Sequence, residues 1–222
     1  GSGDLETSDF TLTLSGGVAH SPTISNISKT NELIWVLTIS FTGDSDDTEI
    51  LTVNPASTTS IYNSVGNAAS TSQSNNTAIL NDFIAPTINT LTISSNNSIK
   101  TNYAGENDIV TLSIVASENI IEPTVVFQSN GSGITNTVSY SGSGDSWTAQ
   151  YTVSSSDTTG IVSFAITIED SASNSTINFD SSTTTDSSSV TKLDTLTIDI
   201  NEPTQSGLQI GNDINGDING DN

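Results

Sequence analysis

The chain of 222 residues is long enough for two domains of ordinary size. It carries 25 acidic residues against three basic ones, Lys29, Lys100 and Lys192, and its formal net charge is −22. This charge excludes nucleic acid as a partner, because binding phosphates requires a basic surface. It also indicates an extracellular, calcium-bearing medium, where salt screens repulsion and divalent cations bridge carboxylates.

Cysteine and histidine, two residue types that much catalytic chemistry uses, are absent or nearly absent. There is no cysteine, and His20 is the single histidine. Disulfides and thiol chemistry are therefore excluded, and a zinc site is disfavoured. We expect His20 to be a surface loop residue and the chain not to be an enzyme. The longest clean apolar run, at Leu33–Leu37, is far shorter than the ~20 residues that span a bilayer. We therefore expect no membrane insertion, and we expect export and anchoring signals to lie outside the sequence.

Apolar residues that alternate with polar ones predict β-strands along most of the chain. In chain order these runs begin at Phe10, Leu33, Ile88, Val110, Trp147, Val162 and Leu196. Clusters of Gly, Ser, Asn and Asp, such as residues 43–47 and 141–145, separate the runs and predict turns. No stretch shows sustained helical periodicity, so the predicted class is all-β, built of antiparallel β-sandwiches. Trp35 and Trp147 stand in phase with apolar residues and are predicted core residues.

A domain boundary is predicted at Asn81–Thr87, where one strand ends, Pro86 follows and a new alternating run begins. Three parts result. Residues 1–82 form a partial or incomplete sandwich, and residues 83–203 form a complete one. Residues 204–222 form an acidic tail rich in Asp, Asn and Gly, or the start of a further module.

Three motifs mark the second part. They are Asp82-Phe83-Ile84-Ala85-Pro86-Thr87 in the linker, Ala116-Ser117-Glu118 after the second strand, and Asp170-Ser171-Ala172-Ser173-Asn174 before the last strand. In these motifs the chain resembles the tandem bacterial immunoglobulin-like repeats of giant surface adhesins. The resemblance implies two immunoglobulin-like sandwiches in tandem and a secreted, cell-surface location. It also implies a structural or adhesive role, with neighbouring immunoglobulin-like domains and a cell-surface or glycan receptor as partners.

The first part resembles such a repeat only in its middle and its end, through residues 9–17 and 61–67. Either the sequence starts inside a repeat, or the part is an incomplete sandwich that accepts a strand from an identical subunit. The first alternative is favoured because a donor strand is not identified. The second predicts a subunit of an extracellular filament assembled by strand exchange. A non-catalytic carbohydrate-binding module of a secreted enzyme is a third open function.

A calcium site is predicted at the junction of the two domains. Successive connections in a sandwich alternate between its ends, so the linker, the second-to-third-strand loop and the loop before the last strand share one end. These segments carry Asp82, Glu118, Asp170 and Asn174. Three carboxylates and an amide are the hard oxygen ligands that Ca²⁺ prefers. The alternative is that they are ordinary solvated loop residues and a turn cap.

A second set of candidate calcium ligands lies in the tail, where Asp213, Asn215 and Asp217 place an oxygen-bearing side chain at every second position. The pattern departs from a complete calcium loop because Ile218 replaces the glycine of the turn and no bidentate Glu follows. The alternative is an acidic tether.

Overall fold

The computed structural model of the protein describes residues 3–179 and 184–194. Apart from one short 3-10 helix at Thr7–Asp9, the regular elements of these residues are all β-strands. Residues 10–79 form β1 (Phe10–Ser15), β2 (His20–Asn31), β3 (Ile34–Thr42), β4 (Ile50–Pro55) and β5 (Thr77–Ile79). Residues 88–192 form β6 (Ile88–Ser95), β7 (Tyr103–Ala104), β8 (Ile109–Ala116), β9 (Thr124–Ser129), β10 (Ser132–Gly133), β11 (Ser139–Ser143), β12 (Ser146–Thr152), β13 (Gly160–Glu169), β14 (Ser175–Phe179) and β15 (Val190–Lys192).

Strands β6 to β15 form two sheets, which we call the C-terminal sandwich. One sheet has the order β10-β9-β13-β15-β7 with β14 also paired to β13, and the other has the order β11-β12-β8-β6. Alternate residues of both sheets meet in one core, in which Leu112, Phe127, Tyr151 and Ile168 are almost fully buried. The pairing is antiparallel except between β15 and β7. The predicted all-β, antiparallel class is therefore confirmed.

Strands β1 to β5, which we call the N-terminal sheets, have far less core. β4 lies between β1 and β5, whereas β2 and β3 form a separate two-stranded ribbon. Phe10, Leu37 and Ile39 lie on the inward faces but are only half-buried. Among the described residues up to 86, Ala19 and Leu51 are the buried hydrophobic ones. Two apolar faces are present in this part of the chain, but little covers them.

Most of the predicted strands coincide with strands of the structure. The runs that begin at Phe10, Leu33, Ile88, Val110, Trp147 and Val162 are β1, β3, β6, β8, β12 and β13. The run at Leu196, the end of the predicted second domain and the tail 204–222 lie outside the described residues. No helix of the described residues is long and apolar enough to cross a membrane.

Two expectations need correction. His20 is exposed as expected, but it begins β2 and is not a loop residue. The alternation in β2 is weak because the strand contains Pro22 and mostly polar residues, and its register with β3 shifts three times. Trp147 packs against the core as predicted, whereas Trp35 is only half-buried, because the N-terminal sheets have no closed core around it.

Candidate metal centre

Three of the predicted calcium ligands lie together. One carboxylate oxygen from each of Asp82, Glu118 and Asp170 lies within 4.8 Å of the others. The residues come from the connection after β5, the β8–β9 loop and the end of β13. Oxygens on opposite sides of one Ca²⁺ are about 5 Å apart, because each bond is about 2.5 Å long. The spacing therefore suits a single bridging cation.

Asp170 is the most rigidly held member of the cluster. It is only 3% exposed. Its Oδ1 accepts hydrogen bonds from the backbone N–H groups of Ala172 (2.7 Å) and Asn174 (2.9 Å), and its Oδ2 accepts one from Asn174 Nδ2 (2.9 Å). A carboxylate has about four lone-pair sites, so three bonds leave capacity for a cation. The loop thus fixes the carboxylate before any ion binds.

Asn174 has a different role from the one the sequence predicts. Its Nδ2 donates to Asp170 Oδ2 and, at 3.3 Å, to the main-chain oxygen of Asp82. Both partners are acceptors, which determines the orientation of the amide. Asn174 therefore positions Asp170 and Asp82 with its NH₂ group. In this arrangement its side-chain oxygen does not point at Asp170 Oδ2 or Asp82 O.

Hydrogen bonds of the main chain and of two hydroxyl side chains join the segments around the cluster. The N–H of Ser117 donates to Thr87 O at 2.8 Å, and the N–H of Thr87 donates to Ser117 Oγ at 2.9 Å. On the other side of the linker, Thr176 Oγ1 donates to Pro86 O at 2.7 Å. The linker is thus tied to the β8–β9 loop, which carries Glu118, and to β14, which follows the loop of Asp170.

A loop of the N-terminal sheets reaches the same junction. Between β3 and β4, the main-chain oxygen of Ser45 accepts from Phe83 N–H at 2.8 Å, and that of Glu49 accepts from Leu80 N–H at 3.1 Å. The loop brings Asp46 and Asp47 close enough to act on Glu118. These two acids were missed by sequence reasoning, because the loop-alternation argument considered only the second domain.

The cluster is electrostatically uncompensated. Burial raises the pKa of Glu118 above its ordinary value of 4.5, and the charges of Asp82, Asp170, Asp47 and Asp46 raise it further. The cations of the chain are elsewhere: Lys29 pairs with Asp4 and Glu32, Lys192 pairs with Asp194, and Lys100 lies 5.6 Å from the centre of the Tyr103 ring. No lysine of the described residues lies within 4 Å of the cluster carboxylates. A bound cation would therefore neutralise the repulsion between these carboxylates, which no described lysine neutralises.

The tail residues Asp213, Asn215 and Asp217 lie outside the described residues. Among those described, Asp82, Glu118 and Asp170 form the one group of three acidic or imidazole ligands with a metal-binding spacing.

Replacement of Glu118 by glutamine is expected to raise the melting temperature in chelator at neutral pH. The raised pKa means that the folded protein holds this proton more tightly than the unfolded chain does. Ionisation therefore costs stability as the pH rises from 4.5 through the folded pKa, and the penalty is complete above it. Glu118→Gln removes the penalty, so its advantage should disappear in acid. Melting curves in chelator over about pH 4–8 measure this. A variant less stable than the wild type at neutral pH would contradict the repulsion.

Comparisons with known proteins give no match: no family model matches the chain, and searches of curated proteins and of solved structures find none either. The resemblance to immunoglobulin-like repeats of surface adhesins stays a prediction from the motifs.

Proposed function

We propose that the chain is a non-enzymatic, extracellular module of a larger cell-surface protein, with immunoglobulin-like domains in tandem, and that Ca²⁺ stiffens its interdomain junction. The observation that carries the proposal is the convergence of Asp82, Glu118 and Asp170 from three distant segments. One of these residues belongs to the linker itself. A cation held by all three would therefore connect the linker to the end of the C-terminal sandwich.

The charge of the chain supports an ion-dependent role. With 25 acids and three basic residues, the chain cannot neutralise its carboxylates internally. Ca²⁺ is favoured over Zn²⁺ because the cluster offers oxygen ligands and neither imidazole nor thiolate. Backbone oxygens and waters would complete the six to eight ligands that Ca²⁺ takes.

Calorimetric titration with CaCl₂ tests the site. We expect binding with a dissociation constant of about 10⁻⁴–10⁻³ M or tighter, the range of extracellular calcium modules. Glu118→Gln should remove this binding, because it deletes one of three charged ligands. Glu122→Gln is the matched control: Glu122 is exposed in the same β8–β9 loop but stands outside the cluster. Equal binding by the two variants would exclude the site.

Hydrogen exchange tests the stiffening separately. The backbone amides of Phe83 and Ile84 donate to Ser45 O and Asp82 Oδ1 at 2.8 Å each. Calcium should slow their exchange and that of residues 117–121, while amides in the β2–β3 ribbon stay unchanged. If Ca²⁺ binds without protecting the linker, the ion has no mechanical role at the junction.

A second function, assembly into a filament by strand exchange, is favoured by the half-covered faces of the N-terminal sheets.

A further inference from the structure

The N-terminal sheets have the same pairing as part of the C-terminal sandwich. Leu12 of β1 is opposite Val53 of β4, as Phe127 of β9 is opposite Phe164 of β13. The β2–β3 ribbon likewise corresponds to β11–β12. The two units can therefore be compared strand by strand.

The comparison shows that one position is filled in the sandwich and open in the N-terminal sheets. β12 pairs with β11 on one side and with β8 on the other. Among the described residues, its counterpart β3 pairs with β2 alone. In the sandwich, β8 contributes Val110, Leu112 and Ile114, each at most 1% exposed, to the core. In the N-terminal sheets, no described strand contributes the equivalent residues.

The free edge of β3 has none of the usual protection against pairing. Natural sheet edges are kept apart by charges, prolines or short strands. β3 is nine residues long, Ile-Trp-Val-Leu-Thr-Ile-Ser-Phe-Thr, with no charge and no proline. In a chain with a net charge of −22, this edge is a place where a second copy can approach without facing carboxylates.

A matching alternation of apolar residues lies in the sequence beyond the described residues. Leu196, Ile198 and Ile200 alternate with polar residues, and Thr195-Leu196-Thr197-Ile198 repeats Thr90-Leu91-Thr92-Ile93 of β6. Leu91 and Ile93 are buried in the sandwich. The segment after Asp194 therefore has the pattern of a strand with one buried face, and among the described residues such a strand is missing beside β3. Because β6 itself pairs with β8 and not with β12, the place of the segment follows from the free edge of β3 and not from the repeat.

We propose that residues 195–200 of a second copy of the chain pair antiparallel with the free edge of β3. In the register that copies β8, three apolar residues meet the inward face of β3: Leu196 opposite Ile39, Ile198 opposite Leu37, and Ile200 opposite Trp35. This reproduces the pairs Val110–Tyr151, Leu112–Ala149 and Ile114–Trp147 of the sandwich. Thr197 and Asp199 then face outward, as Thr111 and Ser113 do in β8.

Such pairing is head-to-tail, because donor and acceptor are different surfaces of the chain. A head-to-tail contact that does not close into a ring continues as an open chain of subunits. The contact uses no residue of the acidic cluster, so assembly should proceed in chelator.

Disulfide trapping tests the register. The chain has no cysteine, so introduced thiols can react only with each other. Val36→Cys and Asp199→Cys, prepared separately and then mixed, should form a covalent heterodimer, because these positions are opposite each other and face outward. Val126→Cys replaces Val36→Cys in the control, since Val126 has a similar exposure (53% against 50%) but lies on the sandwich. Equal yields in the two mixtures would overturn the proposal.

Sedimentation over a range of concentrations tests the assembly itself, in chelator so that calcium does not bridge copies. Ile198→Asp should raise the concentration for half-maximal assembly by about tenfold or more, because it places a charge against Leu37. Thr197→Asp adds the same charge on the outward face and should assemble like the wild type. A wild-type chain that stays monomeric, or two variants that behave alike, would exclude pairing by this segment with a second copy.

Discussion

Calcium at about 10 mM is expected to raise the melting temperature of the chain by roughly 5–10 °C, and chelator should reverse the rise. A ligand present at about 100 times its dissociation constant stabilises the folded state by about 2.7 kcal/mol. For a chain of 150–250 residues, each kcal/mol corresponds to about 2–4 °C. Part of this gain comes from relieving the repulsion that raises the pKa of Glu118. Scanning calorimetry with and without chelator measures the shift.

Two variants separate specific binding from general screening of charge. In CaCl₂, Glu118→Gln should show only the small rise in melting temperature that screening of charge gives, whereas Glu122→Gln should keep the full response. NaCl at matched ionic strength should give a smaller rise, because screening acts on every exposed carboxylate. A rise in Glu118→Gln that is larger in CaCl₂ than in NaCl of matched ionic strength would place the ion elsewhere.

Glu49→Ala is expected to destabilise the N-terminal sheets by about 3 kcal/mol or more, because it leaves three backbone donors without an acceptor. Glu49 is fully buried. Its Oε1 accepts from the N–H groups of Val18 (2.8 Å) and Ala19 (2.7 Å), and its Oε2 accepts from Asp46 N–H at 3.0 Å. Gly17, with φ +55°, leaves room for this carboxylate, since a Cβ there would lie 2.1 Å from Oε1. Urea denaturation followed by Trp35 fluorescence, in a Trp147→Phe background because the chain has two tryptophans, reports the loss.

The pH dependence gives this prediction a second readout. Burial alone would raise the pKa of Glu49, but the backbone N–H groups of Ala19, Asp46, Glu49 itself and Val18 hold it below 4.5. The folded state thus favours the ionised form, so the stabilisation is present above pH 4.5 and is lost as the pH falls through the lowered pKa. Wild type and Glu49→Ala should converge in strong acid. A gap that persists there would mean that Glu49 acts only by filling space.

Strands with one fully buried face were predictable, because burial enforces strict alternation. In β8, Val110, Leu112, Ile114 and Ala116 are all buried and all in phase. The ribbon strand β2 was missed because no core selects its inward residues. The convergence of Asp82, Glu118 and Asp170 could be predicted because successive connections of a sandwich alternate between its two ends.

Roles that depend on hydrogen-bond direction were not predictable from residue type. Asn174 was expected to offer its oxygen to the ion, but its NH₂ group holds Asp170. Glu49 was missed for a related reason, since a single acid in a loop full of acids has no distinguishing pattern. The signal that could have found it is Gly16-Gly17, a turn with positive φ angles that is followed by two backbone N–H groups, of Val18 and Ala19, donating to Glu49.

The parallel pairing of β15 with β7 determines how the sandwich would respond to tension. The chain enters the sandwich at β6, and its last described residues follow β15. β15 is parallel to β7, and the segment before it runs along β6 in the same direction, with Thr185 hydrogen-bonded to Leu91 and Ser188 to Ile93. Pulling the two ends apart therefore slides one strand along the other instead of peeling it away. The bonds from Thr191 N–H to Asn102 O (3.0 Å) and from Leu193 N–H to Ala104 O (2.9 Å) would be strained together. In the role proposed above, the sandwich would therefore resist extension where its last described strand and the segment before it run parallel to its first strands, β7 and β6.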